Sequence, residues 1–121
     1  MTREENIKIM RKIRDINNAV SKLSGKGIDE TILVNALEII DAVVIQPVIY
    51  PSFDYSIIFE YAKKNGHWMT IELSKNDNHF TYTIADDDEV RAIFFDDFKF
   101  VIQCLNAYYI NDDVLSEQHY D

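Results

Sequence analysis

At Pro47 the hydrophobic rhythm of this chain changes, and that change limits the fold more than any other feature. Before it, apolar residues recur every three or four positions. After it, they alternate. A period near 3.6 places apolar side chains on one face of a helix, and a period of two places them on one face of a strand. A chain written this way is α+β: two N-terminal helices, an antiparallel meander of four to five strands, and a C-terminal helix.

The first helix opens on Thr2-Arg3-Glu4-Glu5, a capping box in which Thr2 accepts from the amide three residues on and Glu5 reaches back. Ile9, Ile13, Ile16, Val20 and Leu23 follow at spacings of 4, 3, 4 and 3, which is a heptad seam with Lys and Arg on the other faces. Such a seam packs on its own domain or pairs with a second copy. Gly25-Lys26-Gly27 ends the helix, since Gly takes the left-handed terminating conformation without strain. Asp29 caps a second helix over about 30–44, with Ile32, Leu33, Ala36, Leu37, Ile40 and Val43 or Val44 inward.

Val48-Ile49-Tyr50 is a short strand between Pro47 and Pro51, and proline at both ends predicts a sheet edge. Ser52-Phe53-Asp54 turns the chain. From Tyr55 to Lys63, Tyr55, Ile57, Phe59 and Tyr61 point one way and Ser56, Ile58, Glu60 and Ala62 the other. Lys64-Asn65-Gly66 is a hairpin signal, because Asn-Gly tolerates positive φ. The strand His67–Ser74 sets Met69, Ile71 and Leu73 against Trp68, Thr70 and Glu72. After a turn at Lys75-Asn76-Asp77, Asn78–Ala85 is a fourth strand and Val90–Phe95 a short fifth. Asp86-Asp87-Asp88-Glu89 is the polar break between them. Asp96 or Asp97 caps a third helix whose apolar positions are Phe98, Val101, Cys104, Leu105 and Tyr108.

The 121 residues are the size of one domain, with an acidic tail over about 110–121. A single cysteine, Cys104, forms no internal disulfide and fits a reducing compartment. The N-terminus is charged, and apolar runs such as Ala42–Ile45 fall far short of the ~20 residues of a membrane span. The expected location is cytoplasmic, with no membrane association.

Charge is the most uneven property of the chain. The net charge is −9, yet residues 1–75 carry ten basic and ten acidic side chains. The whole excess lies in residues 76–121, where Arg91 and Lys99 face eleven carboxylates. A negative chain repels phosphate at long range, so direct nucleic-acid binding is not expected. A basic protein is the natural partner of the C-terminal third.

Catalytic signatures are missing. There is no nucleophile elbow, phosphate-binding glycine loop or Cys-x-x-Cys pair. His67, His79 and His119 are spread over the meander and the tail; His67 and His79 begin neighbouring strands and could approach across a hairpin, but a metal site would need further ligands. Cys104 lies on an apolar helix face, where a thiol is more often a small hydrophobe than a nucleophile. The Asp86–Glu89 run lacks the spacing and glycine of a calcium loop. No enzyme activity, metal or cofactor is expected, with a small metal-dependent enzyme using Asp86–Glu89 as the alternative.

Residues 28–83 resemble an uncharacterised family of small bacterial and phage proteins. The matching residues are Pro47-Val48-Ile49-Tyr50-Pro51, Asp54-Tyr55-Ser56-Ile57-Ile58-Phe59-Glu60-Tyr61, Asn65-Gly66 and Met69-Thr70-Ile71-Glu72-Leu73. Tyr55 stands where that family's turn carries glycine, and Ser24-Gly25-Lys26-Gly27 replaces its aromatic-rich turn. The resemblance implies a phage or mobile-element context and assigns no site residue.

The expectation is therefore a non-enzymatic interaction module, binding and inhibiting a basic nucleic-acid-handling protein in the manner of an anti-defence inhibitor or antitoxin. Its candidate contact residues are Asp86, Asp87, Asp88, Glu89, Asp96, Asp97 and Trp68. The alternative scaffold reading is a homodimer paired through Ile9, Ile13, Ile16, Val20 and Leu23.

Overall fold

The computed structural model describes residues 2–52, 54–62, 68–75, 78–84, 89–95 and 97–110. The chain is α+β, with helices at its N-terminal end and an antiparallel sheet after them. Helix α1 spans Arg3–Ser24 and α2 spans Glu30–Ala42. Strand β1 (Val48–Pro51) pairs with β2 (Ile57–Ala62), which pairs with β3 (Trp68–Leu73). Backbone pairing continues through β4 (Asn78–Ile84) and β5 (Glu89–Phe95), and helix α3 covers Phe98–Ile110.

Both ends of α1 form as the local chemistry dictates. The Thr2 hydroxyl accepts from the Glu5 amide at 3.1 Å, and Glu5 accepts from the Thr2 amide at 2.8 Å. The Thr2 amide and then its hydroxyl hold the Glu5 carboxyl below its ordinary pKa. Gly25 closes the helix with φ of 74°, a conformation that costs a residue with a Cβ about 1–2 kcal/mol. Asp29 caps α2 by accepting from the Thr31 amide at 2.9 Å.

Helix α2 stops at Ala42, two residues short of the expected boundary. Val43 turns extended and drives its side chain into the core, while Val44 points out at 75% exposure. Tertiary partners supply hydrogen bonds around this early exit. The Gln46 amide donates to the Ile40 carbonyl at 2.8 Å, and Asn106 accepts from the Val44 amide at 3.1 Å.

The core lies between the helices and one face of the sheet. Ile49, Phe59 and Ile71 stand in one cross-strand row, with Ile57 beside Leu73 and Tyr61 beside Met69. All seven are buried against Met10, Ile32, Leu33, Ala36, Ile39, Ile40, Val101 and Leu105. The parity read from the sequence holds for these strands. Ile39 was missed from the inward set of α2, and Leu37 is only half-buried. β1 is the sheet edge.

The strand expected from Tyr55 begins two residues later. Tyr55 sits in the preceding turn with φ of 63°, and its amide donates to the Ser52 carbonyl. Such a φ favours glycine, so a side chain is carried here in a conformation that L residues seldom adopt. Ser56 keeps the outward parity expected of it but is fully buried, its hydroxyl bonded to Asp54 and to Glu72 of the outer face.

Candidate interaction surfaces

The apolar seam of α1 divides in two. Ile13 is 9% exposed and Ile9 packs half-buried against the core, so neither is free to pair with another chain. Ile16, Val20 and Leu23 are 59%, 44% and 90% exposed. The line that faces inward is the neighbouring one: Asn6, Met10 and Ile13 are buried, Asn17 and Ser21 half-buried, and Ser24 at its end is exposed. Its second half is polar because it holds the return loop. Asn17 clamps Ile28, donating to its carbonyl at 3.1 Å and accepting from its amide at 2.7 Å. The Ser24 hydroxyl lies 2.9 Å from the Val20 carbonyl and 3.2 Å from that of Lys26. The exposed stripe borders an apolar groove of about 230 Å³ that Ile28, Pro51 and Tyr55 complete.

A second surface is the sheet face turned away from the helices. Val48, Tyr50, Ile58, Glu60, Ala62, Trp68, Thr70 and Glu72 lie on it by strand alternation. Trp68 is 40% exposed and Tyr50 36%, around a shallow hollow of about 620 Å³. The Tyr50 hydroxyl donates to Glu60 at 3.3 Å. Burial first, and the Glu60 charge second, raise the Tyr50 pKa above that of a free phenol. Trp68 was singled out because its parity opposes Met69 and Ile71, and the structure does place it outward.

At the rim of that face, the Ser56 hydroxyl lies 2.7 Å from Asp54 and 2.5 Å from Glu72. Ser52 also bonds to Asp54. These hydroxyls, Ser52 first, hold the Asp54 carboxyl below its ordinary pKa. Periodicity gave no signal for this cluster, because a turn residue assembles it.

The acidic candidates are placed unevenly. Asp86, Asp87, Asp88 and Asp96 lie outside the described residues, as do the Lys64–Gly66 turn, His67 and the tail from 111. Glu89 does not belong to the polar break: it opens β5 with its backbone opposite Ile84. Asp97 caps α3, its carboxylate accepting from the Lys99 amide at 2.9 Å.

Among the described residues, no cluster of three His, Cys, Asp or Glu side chains could hold a metal ion, and no helix is long and apolar enough to cross a membrane. Comparison with protein-family models, curated proteins and solved structures finds no match, so the resemblance over residues 28–83 rests on strand-and-turn pattern alone.

Proposed function

We propose that this chain is a non-enzymatic protein-interaction module, of phage or mobile-element origin, that binds and inhibits a basic nucleic-acid-handling protein through its acidic C-terminal third. One observation carries the reading: residues 1–75 are electrically neutral and residues 76–121 carry the entire charge of −9. A field of one sign concentrated in one part of a chain steers an oppositely charged partner and competes with nucleic acid for its basic groove. In this reading the sheet is a four- to five-stranded meander, and the acidic connections follow its last strands.

The test is capture of partners from nuclease-treated host lysate at low and high salt, comparing the natural chain with a triple variant Asp86→Lys, Asp87→Lys, Asp88→Lys. Asp97 is left intact because its loss would uncap α3. A basic protein held at low salt, released at high salt and not retained by the variant supports the proposal. Equal retention by both chains removes it.

A second reading, a scaffold that pairs through α1, is favoured by the exposure of Ile16, Val20 and Leu23. Only that half of the original seam is available for it.

A further inference from the structure

We infer that the outer face of β1–β3 receives an arginine side chain from a basic segment of the partner, held between the Trp68 ring and the Glu60 carboxylate. The inference rests on the proposed function in one respect, the basic character of the partner, and assigns a different surface to the contact.

The face has the composition such a side chain requires. Its charged residues among those described are Glu60 and Glu72, with no lysine or arginine between them. In the register, Trp68 stands opposite Ala62, Thr70 opposite Glu60, and Glu72 opposite Ile58. Glu60 is therefore diagonal to both Trp68 and Glu72. Diagonal positions on one face of an antiparallel pair lie roughly 7–8 Å apart, within reach of aromatic and long side chains. Glu72 accepts from the Ser56 hydroxyl at 2.5 Å, and Glu60 is the carboxylate set diagonal to Trp68, where its negative charge attracts a cation. Trp68 offers an apolar ring beside it, and Tyr50 supplies a second ring whose hydroxyl already orients Glu60.

Arginine fits this arrangement better than lysine. Its guanidinium is planar, stacks on an indole face and donates in-plane hydrogen bonds to a carboxylate at the same time. An ammonium is a compact, strongly hydrated charge that satisfies Glu60 but gains less from the ring. A shallow, open hollow suits one side chain of a larger partner rather than an enclosed small molecule.

Trp68 is the sole tryptophan of the chain, so its fluorescence reports on this face alone. The full chain is titrated with blocked tetra-arginine and, separately, blocked tetra-lysine at low salt. The expected result is a saturable change in Trp68 emission, with arginine bound severalfold more tightly than lysine. Glu60→Gln should weaken arginine binding about tenfold, as loss of a charge-assisted hydrogen bond does. Thr70→Lys, which sets a positive charge like the ligand's directly opposite Glu60, should abolish it, while Asp86→Asn, Asp87→Asn, Asp88→Asn should leave the saturable Trp68 response in place.

No saturable response, equal affinity for the two peptides, or unchanged binding in Glu60→Gln overturns the inference. Loss of binding in the triple-Asn variant with retention in Glu60→Gln also overturns it, and leaves the proposed function standing. Light scattering at the titration concentration covers the remaining occupant: an oligomer that Thr70→Lys dissociates means a second copy takes this face, and the inference fails.

Discussion

Asn6 shows how much one buried polar side chain can fix. It is fully buried in α1, where its amide donates to Gln46 at 3.0 Å and to the Pro47 carbonyl at 2.9 Å, while its Oδ1 has no partner among the described residues. These bonds tie the first turns of the chain to the point where the sheet begins. Replacement by Asp removes both donors and buries a carboxylate against a carbonyl. Asn6→Asp should cost about 3 kcal/mol or more in urea denaturation at pH 7. Burial raises the new carboxyl's pKa, so the deficit should shrink as pH falls and the group becomes neutral. Asp54 has the opposite sign. Its folded pKa is lowered, so its contribution to stability is complete above its unfolded pKa and is lost as pH falls through the folded one. Ser56→Ala removes one of the hydroxyls responsible. The Asp54 carboxyl should then titrate closer to an ordinary aspartate by NMR, and the variant should lose less stability than the natural chain on acidification.

At the scale of elements, the joint between α1 and α2 is the most tightly specified. Gly25 and Gly27 are both required there, for different reasons. A Cβ at Gly25 meets no atom within 4 Å, so the cost of Gly25→Ala is the left-handed backbone alone, about 1–2 kcal/mol. A Cβ at Gly27 would collide with the Ser21 hydroxyl and lie 2.6 Å from the side-chain Oδ1 of Asn17. Ser21 can rotate away, but Asn17 is held by both of its bonds to Ile28. Gly27→Ala should therefore be the more destabilising of the two in thermal unfolding. The opposite order would show that the Asn17 clamp is weak.

For the whole molecule, the question is which of its uncovered apolar surfaces is used. The α1 stripe and the outer sheet face belong to different elements and can be tested separately. Val20→Lys alters a side chain that is 44% exposed, so it should change folding stability by no more than about 0.5 kcal/mol. If the scaffold reading holds, the natural chain scatters light as an oligomer at high concentration and Val20→Lys reduces it to a monomer. A natural chain that stays monomeric at every concentration removes that reading.

Local chemistry and period were legible in the sequence because they act within a few residues. The capping box at Thr2, the Asp29 cap, the left-handed Gly25, the edge position of β1 and the inward parity of Ile57, Phe59, Met69 and Ile71 all follow from neighbours along the chain. Tertiary structure decided whatever depended on a choice between near-equal local options. Two adjacent lines of α1 have helical spacing. The apolar one was the obvious core face, yet the line through Asn6 and Asn17 turned inward, where those side chains bond the backbone at Pro47 and Ile28. Backbone pairing also ended α2 at Ala42, where Gln46 and Asn106 offered partners that no local pattern announces. A buried backbone group left unpaired costs a lost hydrogen bond, so the partners that Asn6 and Asn17 supply favour this rotation of α1, which leaves Ile16, Val20 and Leu23 exposed.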